Sequence, residues 1–186
     1  MSKKILVLLA DGFEETEALS PTDVLRRSAP NEVTLVSIKP NDASVTSSHK
    51  ITIIADSTID QISASEYDAV ILPGGMPGTL NLNSSQAVLD IVQQAYSEGK
   101  IVAAICAAPM ILGGLGILAD RKATCFPGFE QYLTGATHIR QHVVRDGNVI
   151  TGVGAGASIL FGLEILKALD GEERADKIAH DIQLIL

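Results

Sequence analysis

Short unbroken apolar runs along this chain alternate with longer stretches in which apolar residues recur at helical spacing. Ile5 to Leu9 is one such run, the pattern of a strand buried on both faces. Ala10-Asp11-Gly12 predicts a turn. Glu14 to Ser28 then predicts a helix, with acids in its first turn and Arg26 and Arg27 in its last, matching the helix dipole at both ends. Pro21 interrupts that helix and predicts a kink. Val33 to Ile38 predicts a second strand, Asn41-Asp42 a turn, and Ile51, Ile53 and Ile54 a short, more exposed strand.

The second half repeats the alternation. Ala69 to Leu72 predicts a buried strand that ends in Pro73-Gly74-Gly75. Ser84 or Ser85 is placed to cap a helix whose apolar face is Val88, Ile91, Val92 and Ala95, and Gly99 to stop it. Ile101 to Ile105 runs directly into Cys106, and the helix that follows is expected to end near Gly113-Gly114. Val143-Val144, Asp146-Gly147 and Val149-Ile150 predict a β-hairpin. Gly152 to Gly156 leads into a helix through Ala168, broken by Asp170-Gly171, and a last helix carries Ile178, Ile182 and Ile185 on one face.

Alternating strands and helices predict an α/β domain with a mostly parallel sheet covered on both faces. With no linker or repeat visible, residues 1–186 are expected to form one domain. In such sheets the active site lies beyond the carboxyl ends of the strands. The loops after Leu9, Leu72 and Ile105 are therefore expected to converge, bringing Glu14, Glu15 and Glu17 toward Gly74, Gly75 and Cys106.

Composition narrows the function. Hydrophobic residues make up 46% and charged residues 19%, so the chain is globular. Aromatics are 4% with no Trp, so the core must be built from Ile, Val, Leu and Ala. A net charge of −8 argues against nucleic acid and anionic membranes as partners. No apolar stretch reaches the about 18–20 residues needed to span a bilayer, and no secretory signal is evident, so a cytoplasmic location is expected. The two cysteines, Cys106 and Cys125, should then remain thiols, and neither a metal nor an organic cofactor is implied.

Cys106 is the candidate nucleophile. It follows a buried strand among small neighbours, Ala103-Ala104-Ile105-Cys106-Ala107-Ala108-Pro109, as a side chain standing clear of a sharp strand-to-helix turn requires. A helix N-terminus there should lower its pKa, and the N–H groups of Gly75 and Ala107 are placed to hold an oxyanion. Glu14, Glu15 and Glu17 are three acids at a helix start. Most such acids are surface residues that favour the dipole, while one facing Cys106 would have a raised pKa and could move protons. Spacing does not choose among them. No histidine has a clear claim as base: His180 on the last helix and His142 in the hairpin are expected on the surface, which leaves His49 and His138, in loops, as candidates by elimination. Gly152-Val153-Gly154-Ala155-Gly156 comes too late in the chain for a dinucleotide fingerprint and predicts a tight strand-to-helix turn instead. Cys125 is expected to be packed.

Four motifs together resemble the ThiJ/PfpI family, in the branch of the parkinsonism-associated protein deglycase. They are Ala10-Asp11-Gly12-Phe13-Glu14-Glu15-Thr16-Glu17, Leu72-Pro73-Gly74-Gly75, Ala103 to Pro109, and Gly154-Ala155-Gly156. The resemblance spans nearly the whole chain and implies a flavodoxin-like three-layer sandwich and a homodimer. It assigns the functional carboxylate to Glu17, the nucleophile to Cys106 and the oxyanion donors to Gly75 and Ala107. It implies glutathione-independent glyoxalase or protein and nucleotide deglycase activity on methylglyoxal, glyoxal or their early adducts. The alternatives it brings are a redox sensor or chaperone-like protein read through oxidation of Cys106 and, more weakly, a cysteine peptidase or amidase. Many relatives place a histidine where this chain has Phe126, which weakens any reading that needs a Cys–His pair. Val153 and Ala155 stand where some relatives have Arg and Pro.

Overall fold

A computed structural model describes residues 2–184. Its strands are β1 (Lys4–Leu9), β2 (Glu32–Ser37), β3 (Ser44–Thr46), β4 (Thr52–Ile54), β5 (Ser57–Thr58), β6 (Ala69–Leu72), β7 (Ile101–Ile105), β8 (Lys122–Ala123), β9 (Thr137–His138), β10 (Val143–Asp146) and β11 (Val149–Gly152). Its helices are α1 (Glu15–Arg26), α2 (Gly78–Ser84), α3 (Gln86–Ser97), α4 (Pro109–Gly114), α5 (Ser158–Asp170) and α6 (Glu172–Asp181). Seven strands form the central sheet in the order β10-β11-β7-β6-β1-β2-β5. All its pairings are parallel except that of β10 with β11.

The apolar runs build this sheet because side chains alternate across it. Ile5, Val7 and Leu9 of β1 face one apolar cluster with Val24 and Leu25 of α1, Phe161 and Ile165 of α5, and Ile178 of α6. Leu6 and Leu8 face the other, with Leu82 of α2, Val88 and Val92 of α3, and Ile111 and Leu112 of α4. A strand buried on both faces must be apolar at every position, which is why β1, β6 and β7 read as continuous runs. The result is the expected α/β/α sandwich with a mostly parallel sheet.

Several predicted features fall in place. Ser85 caps α3, its Oγ accepting from Val88 N at 3.5 Å. Gly99 follows that helix with φ +72°, a conformation glycine adopts without strain. Asp146 and Val149 bracket the hairpin turn. Ile182 packs at the edge of the core beyond α6, and Ile185 lies outside the described residues.

The structure also departs from the sequence pattern. Helix α1 continues through Pro21, whose Cα would stand 2.8 Å from a Cβ at Gly162, so Gly162 lets α1 and α5 approach closely there. The short helix α2 was not predicted, because seven residues are too few to show a period. The paired β3–β4 and β8–β9 ribbons carry short, half-exposed strands, of which the pattern suggested only β4.

Burial separates two otherwise similar substitutions. Leu8 has no exposed surface, so Leu8→Ala should cost about 2–5 kcal/mol. Ile54 is 72% exposed, so Ile54→Thr should change stability by no more than about 0.5 kcal/mol. Urea unfolding midpoints of the two variants check this.

Candidate active site

Three loops at the carboxyl ends of β1, β6 and β7 meet, as the topology of a parallel sheet requires. The chain leaving β6 supplies the fixed point. The Gly74 N–H donates to Glu17 Oε2 at 2.9 Å, and the Gly74 carbonyl accepts from Glu14 N at 2.9 Å. A single residue thus holds both the start of α1 and the carboxyl on its first turn. Only glycine fits, since a Cβ at Gly74 would lie 2.6 Å from Glu17 Oε2 and 2.7 Å from Cys106 Cβ. Gly75 is equally constrained: its φ is +89°, and a Cβ there would stand 2.4 Å from Glu14 N.

Cys106 lies at the end of β7 with φ +65°, in the left-handed region that a residue with a side chain rarely adopts. Two hydrogen bonds hold it there. Its N–H donates to Gly152 O at 2.9 Å, and its carbonyl accepts from Phe126 N at 2.8 Å. The side chain is half-buried, is not in a disulfide, and hydrogen-bonds to the Glu17 carboxyl; the amides of Ala107 and Gly75 face the sulfur. Cys106, Glu17, Gly75 and Ala107 therefore share one site.

Burial dominates the electrostatics. It pushes Glu17 up to about 7, against the hydrogen bonds from Cys106 and the Gly74 amide. It also pushes Cys106 up to about 12, with the facing charge of Glu17 adding to the rise and the Ala107 and Gly75 amides opposing it. This corrects the expectation of a thiol pKa lowered by a helix N-terminus. The helix α4 starts only at Pro109 and is six residues long, whereas burial and Glu17 act directly on the sulfur. Each acid opposes ionisation of the other, so the pair carries one negative charge before it carries two. The Ala107 and Gly75 amides favour that charge on sulfur, and the Gly74 amide favours it on the carboxyl.

Glu14 and Glu15 are not the surface acids that sequence suggested. Their side chains are largely buried, and both pair with His49, whose Nδ1 lies 3.4 Å from Glu14 and 3.0 Å from Glu15. The ligand atoms of this trio lie within 4.8 Å of one another, and an ion pair accounts for the arrangement. Glu15 and its backbone contacts raise no claim on the thiol, and His49 is committed to these carboxyls. His138, His142 and His180 are exposed, and no histidine is among the groups that shift Cys106. His142, expected in the hairpin, falls just before β10, where its carbonyl accepts from Val153 N, and His138, expected in a loop, ends the short strand β9. Cys125 is buried in the core, as expected.

Sequence reasoning missed the wall of the site. Gly154 was assigned to a tight turn, yet the point where its Cβ would stand is 3.2 Å from Phe126 Cδ2 and 4.0 Å from Glu17 Oε1. The signal was present in β11, which ends beside β7 at the same edge as Cys106, but the partner of β11 is not readable from local pattern.

The chain belongs to the DJ-1/PfpI family, which it matches over residues 3–168. It is 36% identical over 184 residues to the protein dj-1beta of Drosophila melanogaster, covering 98% of this chain and 97% of that one. It is 37% identical over 172 residues to the protein DJ-1 homolog B of Arabidopsis thaliana, covering 92% of this chain but only 39% of that longer protein. Among solved structures, oxidised Toxoplasma gondii DJ-1 superposes with a TM-score of 0.94 at 32% identity over 100% of both chains. The family and the fold are those that the motifs implied. No helix among the described residues is long and apolar enough to cross a membrane.

Charge coupling gives the site a testable signature. Glu17→Gln removes the facing charge and supplies an amide that can donate to sulfur. The pH profile of Cys106 alkylation should therefore move to lower pH by about one unit or more. Rates measured from pH 6 to 11 check this, and an unshifted profile would separate the two groups.

Proposed function

We propose that this protein is a cysteine-dependent, glutathione-independent glyoxalase or deglycase acting on methylglyoxal, glyoxal or their early adducts. The observation that carries the proposal is the Cys106–Glu17 pair set against the Ala107 and Gly75 amides. The nucleophilic form has the thiolate on Cys106 and a neutral Glu17. Sulfur adds to the aldehyde carbon, the carbonyl electrons move to oxygen, and the two amides receive the oxyanion. Protonation of that oxygen by Glu17 completes the hemithioacetal and leaves a carboxylate. The carboxylate then takes the proton from the former aldehyde carbon and returns it to the neighbouring carbon, while the hydroxyl proton on the first carbon passes to the oxygen of the second, so the first carbon is oxidised to the thioester carbonyl and the second is reduced to a carbinol. The thioester so formed is cleaved by water, releasing a hydroxy acid such as lactate or glycolate and restoring the thiol. Cys106 supplies the nucleophile, Glu17 the proton carrier and the two amides the oxyanion donors, with water as the co-reactant that cleaves the thioester. A burial-raised carboxyl pKa of about 7 suits a group that must both give and take a proton near neutrality.

A second reading is a redox sensor or chaperone-like protein without turnover, in which oxidation of Cys106 is the signal. It is supported by a half-exposed free thiol beside backbone donors that would accept a larger anionic product, and by the oxidised state of the Toxoplasma relative. The peptidase or amidase reading is weaker, because no histidine serves Cys106 as base. We also propose a single domain, a cytoplasmic location and a homodimer. Ile51 and Ile54 of the β3–β4 ribbon are exposed apolar residues, which a second copy would cover.

Chelator-treated protein without glutathione should convert methylglyoxal to lactate. Cys106→Ser should abolish this, by about 10³-fold or more, while Cys125→Ser leaves it within about twofold. Retained turnover in Cys106→Ser would overturn the enzymatic reading; no turnover in the unaltered protein would favour the sensor. Light scattering at micromolar concentration should give twice the chain mass.

A further inference from the structure

Phe126 is unusual among the residues of the site. It is a large aromatic side chain left 46% exposed in a chain with few aromatics. Its backbone is pinned to the nucleophile, because its N–H donates to the Cys106 carbonyl at 2.8 Å and its own carbonyl accepts from Phe129 N at 3.0 Å. Its ring edge meets the Gly154 position that also borders Glu17 Oε1, so the ring stands on the Glu17 side of the site. A Cβ at Gly154 would press on that ring at 3.2 Å, so the glycine leaves room for it. Met76, next in the chain to the Gly75 donor, is a second large apolar residue left exposed.

The side-chain charges that act on the pair are negative. The groups acting on Cys106 and Glu17 are one another, Glu14 and the amides of Gly74, Gly75 and Ala107; no cationic side chain of the described residues is among them. His49, on the α1 side, is held by Glu14 and Glu15. An incoming anion would meet the negative charge of the pair and of Glu14, while an apolar group can cover the exposed ring.

We propose that Phe126 is a specificity-determining residue that makes the Cys106 site select uncharged electrophiles carrying an apolar group beside the reacting carbon and reject anionic ones. This deepens the glyoxalase reading by naming a substrate class: neutral 2-oxoaldehydes with an alkyl or aryl substituent, in preference to glyoxal itself and to carboxylate-bearing aldehydes such as glyoxylate. The selection acts on binding, so it belongs in KM more than in kcat.

The test uses alkylation as well as turnover, so the two readings fail separately. Cys106 modification is followed by mass spectrometry with two matched pairs: N-phenylmaleimide against N-methylmaleimide, and iodoacetamide against iodoacetate. Each rate ratio is divided by the ratio that free glutathione gives. The corrected preference should be about tenfold for the phenyl reagent and about tenfold for the neutral one. Phe126→Ala should bring the phenyl preference to near one, Phe126→Leu should keep part of it, and Phe126→Arg should reverse the discrimination against iodoacetate. In turnover, Phe126→Ala should raise KM for phenylglyoxal about tenfold more than it raises KM for glyoxal. A corrected phenyl preference near one in the unaltered protein, or one unmoved by Phe126→Ala, overturns the inference whatever the turnover. The labelling preferences without any dicarbonyl turnover would uphold it and overturn the glyoxalase reading instead.

Discussion

The backbone of Gly74 is the constraint on which the site depends. Its N–H binds the Glu17 carboxyl and its carbonyl binds the Glu14 amide, each at 2.9 Å. These two bonds dock the first turn of α1 onto the end of β6, and they set where the Glu17 carboxyl points. The absence of a Cβ at Gly74 lets Cys106 approach from the next strand. Any side chain there would have to displace either the carboxyl or the cysteine, so the juxtaposition of acid and thiol rests on a missing atom.

The second constraint is the backbone of Cys106 itself. A left-handed conformation at a residue with a side chain is unfavourable by about 1–2 kcal/mol, and it persists where its surroundings hold it. Here the restraint comes from two neighbouring segments, through Gly152 O and Phe126 N. The bend aims the sulfur away from the sheet and toward the Ala107 and Gly75 amides. It also puts the thiol in a place where burial and a carboxyl, rather than a helix dipole, govern its ionisation. Reactivity at such a thiol depends on where one shared charge resides, and the three amides around the pair divide their preference between sulfur and oxygen.

The same backbone bonds that hold Cys106 also build the mouth of the site. Phe126 supplies one of them through its amide and leaves its ring half in solvent, beside Gly154 and Glu17. Phe126 thus both restrains the nucleophile and lines the opening, from a segment that lies far in sequence from the first helix. A relative with a histidine at that position would bring a titratable group to the rim, whereas this chain brings an apolar one.

Much of this was legible along the chain. The runs at Ile5, Ala69 and Ile101 identified the central strands because a strand covered on both faces must be apolar throughout. The order of strands and helices then placed three loops at one edge, and small residues around Cys106 marked the turn. Local pattern did not choose Glu17 from Glu14 and Glu15, since all three satisfy a helix start equally well; only the direction in which α1 meets β6 separates them. Nor did it show that Glu14 and Glu15 turn toward His49, that Gly154 and Phe126 form one wall, or that burial outweighs the helix at Cys106. Those depend on which segments distant in sequence become neighbours, and on how much water they exclude. Strand identity is a property of a few consecutive residues, whereas the charge, reach and exposure of a side chain belong to everything packed around it.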